Sequence, residues 1–308
     1  MRLSNVNIGG QAVIEGVMMK GHNVYAVSVR KPDGTIETDV KNCVSILDKY
    51  KFLRLPILRG IAVFVESLVL GIKTLTYSAD LYVDDEEVEE SKFEKWLMEK
   101  LGENAEKVVI GFTIFLSFVL AIGIFMLLPM LLSRIFKNVF PNSYVQNLIE
   151  GIIRIAIFLI YMKLVTKLKD IQRTFQYHGA EHKTINCLEA DKELTVENVK
   201  TCSRLHKSCG TSFLFIVMIV SILVFSLFTT QILWLRALVR IIMVPVVAGI
   251  SYEFIRWARK SPNNKIAHIL SIPGMWLQGK FTTCEPDDAQ IEVAIAATKG
   301  VLQNDTSK

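Results

Sequence analysis

Hydrophobic residues along this chain gather in four long blocks that are separated by polar sequence. The blocks cover residues 108–133, 147–166, 211–234 and 236–257. About 20 apolar residues in an α-helix cross the roughly 30 Å hydrocarbon core of a bilayer. The pattern therefore predicts an α-helical polytopic membrane protein with about four transmembrane helices, arranged as two pairs over 107–166 and 211–257.

A fifth apolar block, residues 55–77, carries a charged side chain at every seventh position: Arg59, Glu66 and Lys73. At helical pitch these charges fall in one stripe, and apolar residues cover the rest of the surface. This pattern favours an amphipathic interfacial or re-entrant helix over a lipid-exposed span. A full crossing is the alternative, and it would change the number of spans.

The polar segments predict a small α+β part. Alternating apolar and polar residues over 25–40, around Pro32-Asp33-Gly34, are typical of a β-hairpin. Near the C-terminus, Pro286 among acidic residues predicts the first turn of a helix that reaches at least Lys299. The segments are an N-terminal segment with the hairpin (1–54), an acidic linker and amphipathic helix (78–106), a loop rich in histidine and cysteine (167–210) and a C-terminal segment (258–308).

Lysine and arginine set the expected orientation, because they concentrate on the cytoplasmic side of membrane proteins. The loop between the second and third blocks is rich in both: Lys167, Lys169, Arg173, Lys183, Lys192, Lys200, Arg204 and Lys207. The connection at 134–146 has only Arg134 and Lys137. We therefore expect the loop and both termini on the cytoplasmic side, where the separated polar segments pack into one composite domain. The N-terminus shows no signal-peptide pattern.

The composition agrees with a membrane protein and limits the classes of partner that we expect. Of the 308 residues, 51% are hydrophobic, and the mean hydropathy of +0.36 is too high for an ordinary soluble domain. The net charge of +5 fits cytoplasmic membrane flanks, and no basic tract with interleaved aromatics indicates nucleic acid. Membrane lipids are the expected partners, together with other membrane proteins; the sequence sets no oligomeric state. Five scattered cysteines without a CxxC pair are typical of reduced thiols.

Three of the five histidines lie in the loop between the second and third blocks: His178, His182 and His206. The first two belong to H-G-A-E-H, the H-x-x-E-H arrangement also used by inverzincin metallopeptidases. On a helix, positions i and i+4 share a face, so both imidazoles can bind one metal ion. Glu181 is then placed to act as a general base or to support the ligands.

Further ligands for such a metal are expected from His206 and Cys209, which are spaced i,i+3. Cys187 and Cys202 are reserve candidates. Four ligands would make a closed, structural site, whereas three would leave a position for water and allow hydrolytic chemistry. Nitrogen and sulfur donors favour zinc. The alternative interpretation places the histidines at the membrane–water interface, in contact with lipid headgroups and backbone carbonyls.

Ionisable residues at or near membrane depth are functional candidates by default. Glu66 and Glu253 are two of them. In the alternative interpretation, Glu66 and Glu253 are structural. Their counter-ions are then among four basic residues: Arg59, Lys73, Arg240 and Arg256. Glu15 lies among apolar residues in the segment GGQAVIEG, and it needs a partner if it is buried.

Four ordered motifs extend over nearly the whole chain. They are GGQAVIEGVMMKG (9–21), YHGAEHKTINCLE (177–189), HKSCGTSFL (206–214) and PGMWLQGKFTTCEPDDAQIEVAIAA (273–297). Together they resemble the YqhQ-like family of bacterial membrane proteins. That family is a domain of unknown function, commonly described as a metal-dependent enzyme. The resemblance implies a multi-pass protein of the bacterial inner membrane, and it supplies no substrate.

The sequence supports two main hypotheses on function. The first is a zinc-dependent membrane hydrolase whose site lies at the cytoplasmic membrane face, with Glu181 activating water. The second is a non-enzymatic membrane scaffold or assembly factor that handles membrane proteins or lipids. Transport along charges such as Glu150, Arg154 and Arg240 is a third, but four spans are few and no inverted repeat is visible.

Overall fold

The computed structural model describes residues 8–82, 100, 105–207, 209–228, 230, 232–261 and 264–305. The predicted acidic run at 84–90 and nearly all of the amphipathic helix expected after it lie outside these residues. The chain divides into two compact units. Unit 1 comprises Met1–Val83, Tyr161–Val220 and Pro245–Lys308, and unit 2 comprises Asp84–Ile160 and Ser221–Val244.

The described chain is mostly helical, as predicted, and includes one small antiparallel sheet. Its strands are β1 (Gly9–Val13), β2 (Gly16–Lys20), β3 (Val24–Arg30) and β4 (Ile36–Asn42). Its helices are α1 (Ile46–Lys49), α2 (Leu58–Tyr82), α3 (Ala105–Ile122), α4 (Leu128–Ser133), α5 (Ser143–Val165), α6 (Lys169–Glu189), α7 (Val196–Lys200), α8 (Gly210–Ser226), α9 (Leu233–Lys260), α10 (Lys265–Leu277) and α11 (Asp288–Asn304). π-helical turns occupy Gly123–Leu127, before α4, and Gln278–Thr282, after α10.

The sheet is a meander in which strands that follow each other along the chain pair antiparallel, in the order β1-β2-β3-β4. Strands β3 and β4 form the predicted hairpin, with Arg30 opposite Ile36 next to the turn. Gly34 has a φ of +85°, and its N–H donates to the carbonyl of Lys31 at 2.9 Å. Glycine adopts this left-handed conformation without steric cost, so the turn forms where the sequence places it.

Both faces of the sheet are covered within unit 1. On one face, Val17 and Met19 of β2 belong to a core that α6 and α11 complete. On the other face, Met18 belongs to a second core, against which Leu70 and Tyr77 of α2 pack. Successive side chains of a strand point to opposite faces, which explains why this strand is buried along nearly its whole length.

The C-terminal helix α11 begins later than the sequence suggests. Pro286 lies before the helix, and Asp287 is the N-cap of a capping box with Gln290. The Gln290 N–H donates to Asp287 Oδ1 at 2.8 Å, and the Asp287 N–H donates to Gln290 Oε1 at 3.0 Å. These reciprocal bonds satisfy two amides that a helix start leaves without partners, so they set the start in place of the proline. The helix continues past Lys299, as expected.

The fifth apolar block forms α2, which runs five residues beyond the predicted end at 77. Its buried residues are all small: Gly60, Ala62, Gly71, Thr74 and Ser78. Large apolar side chains on the same helix are exposed, with Val65 at 48% and Val69 at 61%. The helix therefore presents small residues to unit 1 and an apolar surface outward.

The charged stripe of α2 contacts protein at two of its three positions. Arg59 forms a bidentate ion pair with Glu253 of α9. Glu66 pairs with Lys20 of β2 at 2.7 Å. Lys73 is exposed. The counter-ion of Glu66 is thus a lysine of the sheet, which the helical periodicity alone does not reveal.

Two segments are long and apolar enough to cross a membrane by length and composition: Val108–Phe136 and Leu233–Ala258. They correspond to the first and fourth apolar blocks and indicate membrane association. The second block forms α5, a 23-residue helix that contains Glu150, Arg154 and Lys163. The number of crossings and their direction stay predictions.

The prediction of one helix over 211–234 is wrong. Helix α8 ends at Ser226, and neither Phe228 nor Thr230 is helical. The Ser226 hydroxyl donates to the carbonyl of Leu223 at 2.6 Å. Hydroxyl side chains that bond to the backbone compete with helix continuation, and Ser226 makes such a bond at the last residue of the helix. The 17 residues of α8 span only about 26 Å at 1.5 Å per residue.

Candidate functional site

Helix α6 carries the H-x-x-E-H motif, and its third turn onward is almost completely buried. As the i,i+4 spacing predicts, His178 and His182 stand on one face, with their ring centroids 4.4 Å apart. The helix is anchored by Tyr177, Ala180 and Leu188, which enter the core with α11 and the sheet. One face of this helix therefore packs into the core, and the opposite face presents the two imidazoles.

Backbone carbonyls orient both imidazoles in the same way. His178 Nδ1 lies 2.7 Å from the carbonyl oxygen of Thr282, and His182 Nδ1 lies 2.8 Å from that of Arg204. A carbonyl only accepts, so each Nδ1 carries the proton and donates it. The Nε2 atoms are then unprotonated in the neutral rings. This arrangement is typical of metal-binding histidines, whose second nitrogen bonds to a carbonyl or carboxylate.

Cys209 lies immediately before α8, and its sulfur is close to the two imidazoles. Its Sγ lies 3.3 Å from His178 Nε2. The Thr211 N–H donates to this sulfur at 3.4 Å, so the thiol caps the helix. The positive end of a helix and an N–H donor both favour the thiolate, which is the form that binds metals.

The ligand atoms of His178, His182 and Cys209 all lie within 4.8 Å of one another. Three ligands of this kind, two nitrogens and one sulfur, suit zinc and leave a fourth position open. The structure therefore brings together three of the four predicted ligands.

His206 lies near this group, but its ring lies beside Glu189. Its Nε2 is 3.3 Å from both carboxylate oxygens of Glu189, and its ring centroid is 5.8 Å from that of His182. Gln278 holds the backbone of His206 through two hydrogen bonds. The His206 N–H donates to Gln278 Oε1, and Gln278 Nε2 donates to the His206 carbonyl, both at 2.9 Å. Its role as a fourth ligand stays a prediction.

Glu181 is buried beside this group, with 4% of its surface exposed. Its Oε2 has no hydrogen-bond partner among the described residues. A Cβ on Gly10 of β1 would lie 2.8 Å from the Glu181 carboxyl carbon, so only glycine lets the strand approach this closely. A buried carboxyl oxygen without a partner is costly, and such atoms often mark a site of function.

Burial governs the protonation of these groups. Desolvation raises the pKa of Glu181 to about 8, against the opposing effects of His178 and the Gly10 N–H. Desolvation also lowers the pKa of His182 to about 3, so this imidazole is neutral at physiological pH and can act as a ligand. The pKa of the Cys209 thiol is raised on balance, because desolvation by burial outweighs the two hydrogen bonds with Thr211 that favour the thiolate.

The group faces an open cavity of about 720 Å³ in unit 1. His178, Glu181, His182 and Cys209 line one side of it. Its other lining residues include Val63 and Leu70 of α2, Met18 of β2 and Tyr252 of α9. A cavity of this size takes a small-molecule-sized group, and its apolar wall suits an aliphatic one.

Gly179 lies inside the H-x-x-E-H motif, and close packing requires glycine there. A Cβ at this position would lie 2.1 Å from the carbonyl oxygen of Cys284. We therefore expect Gly179→Ala to destabilise unit 1 by about 1–3 kcal/mol, because the helix must move away from the 284–286 segment. Thermal unfolding of the purified protein measures this.

The matched control for that variant is Gly111→Ala. Gly111 also lies in a helix, and no atom comes within 4 Å of the place that a Cβ would take there. Alanine is the better helix former, so this change should be neutral or stabilising by up to about 1 kcal/mol. Equal unfolding temperatures for the two variants would contradict the packing role of Gly179.

Sequence reasoning missed the residues that hold the ligands in place. Thr282 and Arg204 act through backbone carbonyls, which leave no residue-type signal. Gln278 and Thr282 begin and end the π-helical turn after α10. Such turns are rare in proteins overall, but they occur often at functional sites. No sequence pattern reveals them.

The reserve ligands lie outside the group of three. Cys187 and Cys202 donate weakly to backbone carbonyls of Glu193 and Asn198, at 3.6 and 3.5 Å. All five cysteines are free thiols, as expected. The buried Glu15 has the partner that it needs: Arg173 of α6, whose Nη2 is 2.5 Å from Oε2.

Comparisons with known proteins agree with the motifs. Residues 55–304 match the family model described as "Protein of unknown function (DUF1385)". The chain is 38% identical over 301 residues to "Uncharacterized protein YqhQ" of Bacillus subtilis (strain 168), which covers 96% of this chain and 92% of that protein. No solved structure shows a significant match.

Proposed function

The chain belongs to the YqhQ-like (DUF1385) family, whose function is unknown, and we propose that it is a zinc-dependent membrane hydrolase. The observation that carries this proposal is the convergence of the ligand atoms of His178, His182 and Cys209 within 4.8 Å. The neighbouring Glu181 carboxyl supplies the second component that hydrolysis needs. The two imidazoles are already held in the ligand tautomer by backbone carbonyls.

In this proposal, His178, His182 and Cys209 would hold zinc, which would supply Lewis acidity for hydrolysis. Glu181 would act as general base and take the proton from the attacking water. A nearby cation favours the carboxylate form of Glu181 and so offsets the effect of its burial. The Oε2 atom that lacks a partner among the described residues is available for this proton.

We place the site at the cytoplasmic face of the bacterial inner membrane, with several spans and both termini inside. The count of lysine and arginine in the 167–210 loop supports this orientation. Membrane lipids are the proposed partners. The apolar wall that α2 gives to the cavity, and the exposed Val65 and Val69 on the same helix, favour a lipid-like substrate or an apolar segment of a membrane protein.

The test is the metal content of the detergent-purified protein by mass spectrometry. We expect one zinc per chain in the wild type and almost none in His178→Ala/His182→Ala. Cys209→Ser is the milder variant, because serine keeps the size of the side chain and a cap for α8, and it should weaken zinc binding at least about 100-fold through loss of the thiolate.

His268→Ala is the matched control, since His268 is an exposed histidine on α10, away from the cavity lining. It should keep the full zinc content. A folded wild type that binds no zinc after incubation with the metal would overturn the proposal, as would equal zinc in Cys209→Ser.

A membrane scaffold is the second candidate, and the segment before α2 favours it. Val44, Phe52 and Leu55 are 77%, 63% and 58% exposed there. Exposed apolar side chains of this number mark a contact with a membrane or another protein. Under this alternative, function tolerates loss of the zinc ligands and fails when these three residues become polar.

A further inference from the structure

Unit 2 contains a buried charge network centred on Glu150 of α5. Arg154 Nη2 donates to Glu150 Oε1 at 2.8 Å, and Arg240 Nη1 donates to the same oxygen. Arg236 Nη2 donates to Glu150 Oε2 at 3.2 Å. Asn147 links the two arginines of α9, since its Oδ1 accepts from both. One carboxylate thus faces three guanidinium groups.

The charges of this network do not balance. Glu150 is the only acidic residue between 107 and 160 or between 221 and 244. Glu150, Arg154 and Arg240 are 1%, 7% and 3% exposed, so water screens their charges little. Uncompensated charge in a low-dielectric interior is costly unless a partner of opposite sign is present. Among the side chains that the structure describes in unit 2, Glu150 is the only acidic one, so two positive charges of the network have no counter-charge there.

A small cavity adjoins the network and adds further positive charge. Its lining includes Arg134, Lys137, Asn147, Thr230 and Arg236. Arg236 Nε is buried and has no hydrogen-bond partner within the described part of the chain. Arg134 and Lys137 are exposed and form no ion pair with any described residue.

We propose that this cavity binds a phosphate group. Its free space of about 20 Å³ holds roughly one water-sized group, such as one phosphoryl oxygen, while the remaining oxygens meet Arg134 and Lys137 at the mouth. Arginine forks match the oxygens of phosphate, and one phosphate supplies at least one of the two missing negative charges. The phosphate comes either from a phospholipid headgroup or from free inorganic phosphate.

The experiment measures thermal unfolding of the full chain in detergent during titration with three probes. These are phosphatidylglycerol, diacylglycerol with the same acyl chains, and inorganic phosphate. We expect phosphatidylglycerol or inorganic phosphate to raise the unfolding temperature, and diacylglycerol, which lacks phosphate, to leave it unchanged.

Arg134→Gln/Lys137→Gln is the informative variant, because both side chains are exposed and lie outside the buried network. It should weaken the apparent affinity for the phosphate probe at least tenfold. Lys163→Gln/Lys167→Gln removes the same charge from two lysines elsewhere and should stay within twofold of the wild type.

The outcomes separate the two sources of phosphate. A shift with phosphatidylglycerol alone identifies a lipid headgroup site, whereas equal shifts with inorganic phosphate identify a site for a free anion. No shift with either probe overturns the proposal, and so does an unchanged affinity in Arg134→Gln/Lys137→Gln.

Discussion

Replacing Glu150 by glutamine is expected to destabilise the protein by about 3–5 kcal/mol, the cost of breaking a buried ion pair by removing one partner. The carboxylate is 1% exposed and accepts from Arg154, Arg236 and Arg240. Glutamine has nearly the same shape but no charge, so the buried guanidinium groups of Arg154 and Arg240 and the partly buried one of Arg236 would face a neutral amide. Thermal unfolding in detergent, or the yield of monodisperse protein, measures the loss.

Glu292→Gln is the control for that change. Glu292 also pairs with an arginine, at 2.8 Å from Arg30, but half of its side chain is exposed. Exposed pairs contribute little, so the effect should be below about 1 kcal/mol. Similar unfolding temperatures for Glu150→Gln and Glu292→Gln would show that the network around Glu150 adds nothing to stability.

The sequence predicts those parts of the site that follow from local periodicity. His178 and His182 are four residues apart on a helix that the sequence indicates, so their shared face follows from helical geometry. Cys209 is a candidate because it lies three residues after His206. Its distance from His178, however, depends on how α8 begins, and the chain between them includes a full loop and α7.

The sequence does not predict the contacts that backbone atoms make. The carbonyls of Thr282 and Arg204 hold the two imidazoles, and any residue type supplies a carbonyl. The same limit applies to His206, whose spacing from Cys209 fits a ligand pair while its ring lies near Glu189. Spacing describes which side chains can meet, and packing decides which of them do.

Charges in the apolar blocks show a related limit. The sequence offers Glu150, Arg154 and Arg240 as separate residues, and their assembly on one carboxylate requires α5 and α9 to pack together. Likewise, the seven-residue stripe of α2 does not reveal that Glu66 binds Lys20 of the sheet. Long-range ion pairs carry no periodic signal, so the fold class is predictable and these partners are not.

Glu181→Gln is expected to keep its zinc and to lose hydrolytic activity by about 100-fold or more, the usual contribution of a general base. Glutamine matches glutamate in size, so the contact with Gly10 is preserved. It cannot accept a proton from water, so the chemical step fails while the three ligands stay intact. The measurement combines zinc content with a hydrolysis screen of esters and phosphoesters presented in micelles.

The matched control is Glu189→Gln, which changes another carboxylate that lines the same cavity but lies beside His206. It should keep activity within about threefold, because its carboxylate does not belong to the group around Cys209. Full activity in zinc-loaded Glu181→Gln would exclude Glu181 as the base and leave the metal assignment intact. Zinc-free but active wild type would instead exclude the metal mechanism itself, so the two parts of the proposal fail in distinguishable ways.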